Sequence, residues 1–250
     1  MSLSKSDRIY LVISIVFFFL LWTLKIIEDL NLIAYHTWAV RIGVPGYVGI
    51  TFLYNWLAPS TEKTKFISIA LLFAMLAEMI NAANLDFGLL FFSVTHTCLT
   101  IFHWKKTVAL KKEKLATKDE AWLAFYKKLS TRSFIVMWVL YLIFSTMIMM
   151  NLHEHTLEYL LVVPIYLFLL TLMGWRSIYT YGEKQSGRII LGSLLFYICD
   201  VFILLVLTAP NFDNPPLIYL VLSWITYLPA LFLLSCIGKS IFTSDKYPNF

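Results

Sequence analysis

The sequence predicts an all-α, polytopic integral membrane protein with about eight transmembrane helices and both termini cytoplasmic. Three observations carry that prediction. Of 250 residues, 60% are apolar and 14% charged, where a soluble domain carries about a quarter charged, and the mean hydropathy is +0.76. Apolar runs of spanning length recur at about 9–26, 39–57, 66–83, 87–104, 132–151, 157–178, 188–208 and 216–238. Finally, the basic residues alternate between successive connections. With the N-terminus inside, eighteen of the twenty Lys and Arg fall on the inner side, and only Lys25 and Arg41 fall outside. That is the asymmetry expected of cytoplasmic loops.

The first run lacks a small-residue cleavage site and reads as a retained first helix. The second opens on Arg41-Ile-Gly-Val-Pro45, and the third carries Glu78 within Ala70-Leu-Leu-Phe-Ala-Met-Leu-Ala-Glu78-Met-Ile-Asn81. A tight Asn84-Leu-Asp-Phe break leads into the fourth, which holds His96 and ends near His103, expected to reach the inner headgroups. A basic cytoplasmic loop over residues 105–131 follows. In it, Thr117-Lys-Asp-Glu120 matches a capping box. Trp122, Phe125, Tyr126 and Leu129 then share a helical face beside Lys127 and Lys128. This predicts a short interfacial helix, apolar side on the inner leaflet, acting as an anchor and topology signal. The fifth and sixth runs flank Asn151 to His155, and the sixth closes on Met173-Gly-Trp-Arg176. The seventh contains Gly192-Ser-Leu-Leu-Phe-Tyr-Ile-Cys-Asp200, and the eighth follows a Pro-rich and Asn-rich turn. The whole chain, 1–250, reads as one membrane domain.

The net charge of +5 is accounted for by this topology, so the basic residues predict membrane lipids as partners and no nucleic acid. Cys98, Cys199 and Cys236 lie in apolar runs without CxxC spacing and read as small buried hydrophobes. The integral topology predicts the cell (inner) membrane as the location.

The acids are the strongest functional signal. A carboxyl group inside a span costs on the order of 3 kcal/mol on insertion scales. Glu78 lies twelve residues after Phe66, and Asp200 twelve after Arg188. At ~1.5 Å per residue, both sit ~18 Å up their helices, at one depth. Two carboxyls at one depth in low dielectric do not both ionise cheaply and titrate as a coupled pair. That suits general acid–base catalysis. It equally suits two structural acids, or an ion or proton path, and the spacing alone leaves these open. Of the other polar groups, a lone His96 in a span is usually a packing residue. Arg41, on the side poor in cations, asks for an anionic partner, and Trp175 and Arg176 suit interfacial anchoring. His153-Glu-His155 with Glu158 is too loose for a metal site, so no metal is expected. The chain has no Walker loop, GxSxG or HExxH motif.

Arg41-Ile-Gly-Val-Pro45, the acid in the third helix, Thr95-His96, Met173-Gly-Trp-Arg176 and the apolar run ending in Asp200 together resemble the YhhN family. Its members are the lysoplasmalogenases, or alkenylglycerophosphocholine and alkenylglycerophosphoethanolamine hydrolases. The likeness covers most of the chain, from about Arg41 to the last helix. The family usually has Gly-Asp where this chain has Ala77-Glu78. The resemblance implies a membrane hydrolase that cleaves the vinyl ether of a lysophospholipid substrate, with no cofactor. It implies Glu78 and Asp200 as the catalytic acids. Arg41, Asn81, His96, Arg176 and Tyr227 are expected to bind substrate or line the site. Two other classes stay open, a small proton-coupled transporter or channel and a non-catalytic lipid-binding protein of the same fold.

Overall fold

In a computed structural model, the described residues are 5–29, 38–57, 64–81, 85–151, 157–183, 185–207 and 217–239. They form eight α-helices and no strand: α1 (Lys5–Asp29), α2 (Trp38–Leu57), α3 (Lys65–Asn81), α4 (Leu85–Ala116), α5 (Glu120–Asn151), α6 (Leu157–Ile178), α7 (Ser186–Leu207) and α8 (Leu217–Ser235). Five of them, α1, α4, α5, α6 and α7, contain stretches long and apolar enough to cross a membrane. The protein is an all-helical membrane protein.

The connection between α4 and α5 differs from the expected loop with a separate interfacial helix. Residues 105–116 are almost all strong helix formers and contain no Gly or Pro, so α4 simply continues to Ala116. It ends in a Schellman turn. Lys118 takes the left-handed conformation at φ 52°, and the Asp119 N–H reaches back to the Lys114 carbonyl and the Lys118 N–H to that of Leu115. The cap of the next helix is Asp119 rather than Thr117, because its Oδ1 accepts from the Trp122 N–H at 3.0 Å. Thr117 bonds back to the carbonyls of Glu113 and Lys114 instead. From Glu120 the helix runs unbroken to Asn151. Its aromatic face packs on protein. Trp122 stacks on Tyr126, Tyr126 meets Tyr179 edge-on, and Ser130 bonds the Tyr179 hydroxyl at 2.5 Å. Gly182, at φ +93°, is required there twice over, since a Cβ would also lie 2.9 Å from the Trp122 indole nitrogen.

This hairpin marks one end of the bundle. Lys105 lies over the Phe66 ring, and Lys106 pairs with Glu183 at 3.0 Å, so α3 and α7 both start at that end. A buried polar hub sits at the same end. Asn55 donates to the Ser235 carbonyl at 2.9 Å and accepts from Ser68 at 2.6 Å, while Lys239, 1% exposed, donates to the Asn55 carbonyl. The Tyr54 hydroxyl donates to Asp7, and Tyr10 bonds Ser235, so α1 is tied to α2 and α8 here.

The most extensive packing joins α7 to α8 and α3 to α4, with α2 against α3 and α6 against α4 and α7. Gly192 makes the α7–α8 approach close: a Cβ on it would sit 3.2 Å from both Leu233 Cβ and Leu234 Cγ. Most of α5 turns exposed apolar side chains outward, including Val139, Leu142 and Met150. These have no place in water and suit a lipid-facing surface. Pro45, Pro164 and Pro229 lie inside α2, α6 and α8, and each removes one helical hydrogen bond.

Candidate active site

Five helices meet around the acids. Glu78 is thirteen residues from the start of α3 and Asp200 fourteen from the start of α7, so each lies about 20 Å from the hairpin end. The two acids thus stand at the same height in the bundle, on α3 and α7. The structure therefore keeps at one height the two acids that the sequence placed at one depth.

Asp200 is 2% exposed, and its Oδ2 is the focus of the cluster. The Tyr166 hydroxyl, from α6, donates to it at 2.5 Å. His96 Nε2, from α4, lies 2.8 Å from the same oxygen and 3.1 Å from the Tyr166 hydroxyl. The His96 ring is fully buried, edge-on to both Tyr166 and Phe196 with centroids 5.2 Å away. Its backbone is held by the neighbouring Thr95 hydroxyl, which donates to the Ala70 carbonyl of α3 at 3.2 Å. Glu78, partly exposed, makes no ion pair among the described residues. The buried Tyr227 hydroxyl from α8 faces its carboxyl without reaching hydrogen-bond geometry. Tyr166 and Tyr227 each sit two residues from a helix proline, Pro164 and Pro229.

A solvated version of this arrangement would be unremarkable. In an apolar bundle it is costly, because each buried polar group loses its hydration. It holds a carboxyl, a hydroxyl and an imidazole in mutual contact, with a second carboxyl at the same height, the parts that proton transfer requires.

The other expected site residues divide. His96 and Tyr227 are in the cluster. Arg176 is not: it lies ten residues beyond Tyr166 on α6, about 15 Å toward the hairpin. Its guanidinium covers the Trp104 ring at 4.1 Å and also stacks on Trp175 and Tyr179. Those rings give the cation an aromatic cage, worth about 0.5–2 kcal/mol per face. The side chains of Arg41 and Asn81 lie outside the described residues, as does the whole His153-Glu-His155 segment. Among the described residues no group of three or more His, Cys, Asp and Glu gathers as metal ligands do. His103 does not reach the headgroups. It is fully buried and pairs with Ser193 of α7 at 2.9 Å, because α4 continues more than three turns past it and α7 supplies a partner. Cys199 and Cys236 are buried and Cys98 half-buried, all three as free thiols.

Sequence reasoning missed Tyr166. The signal was there: a tyrosine in the middle of an apolar span, away from the interface where tyrosines ordinarily sit, beside an in-helix proline.

The family model of the YhhN family matches residues 45–236. The chain belongs to the YhhN family. The match runs from Pro45 in α2 to Cys236 just beyond α8, so it contains all five helices of the acid cluster and leaves α1 outside. No curated protein and no solved structure matches the chain.

Proposed function

We propose that this YhhN-family protein is a membrane-embedded hydrolase that cleaves the vinyl ether bond of lysoplasmalogen-type lipids, giving a fatty aldehyde and a glycerophospho-alcohol. The observation that carries the reading is the convergence of Tyr166 and His96 on Asp200 inside the bundle, with a second acid, Glu78, at the same height on α3. A vinyl ether is inert to bases and to simple nucleophiles but yields to a proton delivered to carbon, and an acid pair within the bundle supplies that proton.

The scheme balances with one water. A neutral carboxyl gives its proton to the vinyl carbon remote from oxygen. The C=C electron pair forms the new C–H bond and leaves an oxocarbenium ion. A neighbouring carboxylate steadies that cation and takes a proton from the water that adds to it. In the collapse of the hemiacetal, the carboxyl that took the water's proton gives it to the departing glycerol oxygen, the hydroxyl proton returns to the carboxyl that began neutral, and the aldehyde remains. No step asks for a metal or an organic cofactor.

An apolar groove of about 230 Å³ runs between α1, α2 and α8, lined by Phe18, Tyr47, Leu228 and Phe232 among others. It suits a hydrocarbon chain beside the residue that follows Tyr227. Three helical turns separate Arg176 from the acids, more than a glycerol backbone bridges, so Arg176 is an unsuitable headgroup contact. Arg41 and Asn81 belong to the ends of α2 and α3 away from the hairpin. On this reading all eight helices cross the membrane, the hairpin and both termini face the cytoplasm, and the location is the cell membrane.

The test is mass spectrometry of lipids after incubating purified protein with a lysoplasmalogen and with its saturated-ether analogue. Loss of the vinyl ether alone supports the reading. Loss of neither, with pH-driven flux in liposomes, would assign the acids to transport instead.

A further inference from the structure

We propose that the cluster fixes a division of labour between the acids: Asp200 is the resident carboxylate and Glu78 the proton donor, with Tyr166 as the positioning residue that sets it. The inference deepens the hydrolase reading and rests on it for its kinetic consequence, but not for its spectroscopic one.

Three features of the geometry point this way. Two hydrogen-bonding groups converge on one oxygen of Asp200, Oδ2, where the Tyr166 hydroxyl donates at 2.5 Å and His96 Nε2 lies 2.8 Å away. A carboxylate with two donors on one oxygen is the form such a pair of contacts stabilises. His96 settles the remaining ambiguity. Its Nδ1 is buried without a partner. If Asp200 held a proton toward Nε2, Nδ1 would carry a buried N–H with nothing among the described residues to receive it, and buried side-chain polar atoms are in the large majority hydrogen-bonded. With the proton on Nε2, the ring donates to Oδ2 and Nδ1 is left only a bare lone pair.

Glu78 has the opposite surroundings. Among the described residues it has no ion-pair partner, and the Tyr227 hydroxyl faces it outside hydrogen-bond geometry. Beside an ionised Asp200 in low dielectric, a second negative charge has nothing to hold it. Glu78 therefore carries the proton. Oδ1 of Asp200, which receives neither donor, is the oxygen left to face the cation and the water. Tyr166 does not itself contact the reacting atoms in this scheme. It holds Oδ2 so that Oδ1 is presented, and it keeps Asp200 from taking the proton that Glu78 must deliver.

Infrared difference spectroscopy of protein in lipid at neutral pH reads the protonation directly. Glu78→Gln is expected to remove a protonated-carboxyl C=O band, and Asp200→Asn to remove only carboxylate bands. The reverse pattern overturns the assignment, as does the absence of any protonated-carboxyl band from both differences. Tyr166→Phe, which removes one oxygen from a side chain of the same shape, is expected to shift the carboxylate bands that Asp200→Asn removes. In turnover it is expected to lower kcat at least tenfold with KM within twofold. Unshifted bands overturn the positioning role. Shifted bands with unchanged kcat overturn its place in catalysis. If the protein turns over no vinyl ether at all, the hydrolase reading fails while the infrared arm still decides the acids' protonation states.

Discussion

Gly192 and Gly46 both lie inside helices, yet replacing each by alanine is expected to have opposite signs. A helix-interior glycine costs roughly 0.5–1 kcal/mol relative to alanine because of the backbone freedom it gives up on folding. At Gly46 a Cβ would meet nothing within 4 Å, so Gly46→Ala should keep that gain and stabilise by about 0.5–1 kcal/mol. At Gly192 the new Cβ would lie 3.2 Å from Leu233 Cβ, an atom fixed to the α8 backbone, and 3.2 and 3.3 Å from Leu234 Cγ and Cδ2. Only a parting of α7 and α8 by a few tenths of an ångström relieves this. Overpacking of a well-packed contact costs about 1–3 kcal/mol, which outweighs the entropic gain and leaves a net loss of about 1 kcal/mol. The displacement also reaches the site, since Asp200 and Tyr227 are carried by these two helices. Thermal unfolding in one detergent, followed by thiol-reactive dye or fluorescence-detected chromatography, compares the two variants with the parent. Gly46→Ala should raise Tm and Gly192→Ala lower it. A stabilised Gly192→Ala would refute the close α7–α8 seam from which the cost is derived.

Asp200→Asn and Glu78→Gln should each abolish vinyl-ether turnover in folded protein, and the double variant should be scarcely worse than either, because groups acting as a unit are not additive. Glu78→Asp restores the family's usual residue and should retain turnover, and its loss together with an active Glu78→Gln would make Glu78 structural. Asn55→Ala cuts the bonds to Ser235 and Ser68 and should destabilise by about 1–3 kcal/mol, read as a fall in Tm with KM unchanged. The Asp119 carboxyl is held below its usual range, first by the Trp122 N–H and then by Lys114. Its stabilisation of the hairpin is thus complete above the ordinary aspartate value of ~3.9 and fades as pH falls through the lowered one. The Trp122 amide resonance should titrate with a midpoint below ~3.9, and a midpoint at or above it would contradict the cap.

Hydropathy and charge were enough to give the all-α class and eight helices, because spanning length and loop polarity are local properties of the chain. The α4–α5 junction was misplaced because Lys105 to Ala116 is polar, which reads as loop, while its helix propensity is high. Nothing local reports the Schellman turn at Lys118. The depth of Glu78 and Asp200 was legible by counting residues. The convergence of Tyr166 and His96 on one oxygen of Asp200 was not, since it depends on how α4, α6 and α7 are rotated about their axes. The same rotation placed His103 inside against Ser193, and set Arg176 among aromatic rings rather than beside the acids.

Turnover in D2O tests the central claim most directly, because it reports where the proton goes. If a site carboxyl protonates the vinyl carbon, the aldehyde formed from a lysoplasmalogen carries one deuterium on the carbon next to the carbonyl, at first appearance by mass spectrometry. The Asp200→Asn protein should give no aldehyde. Aldehyde without that deuterium would contradict proton delivery to carbon, and with it the role assigned here to Glu78 and Asp200.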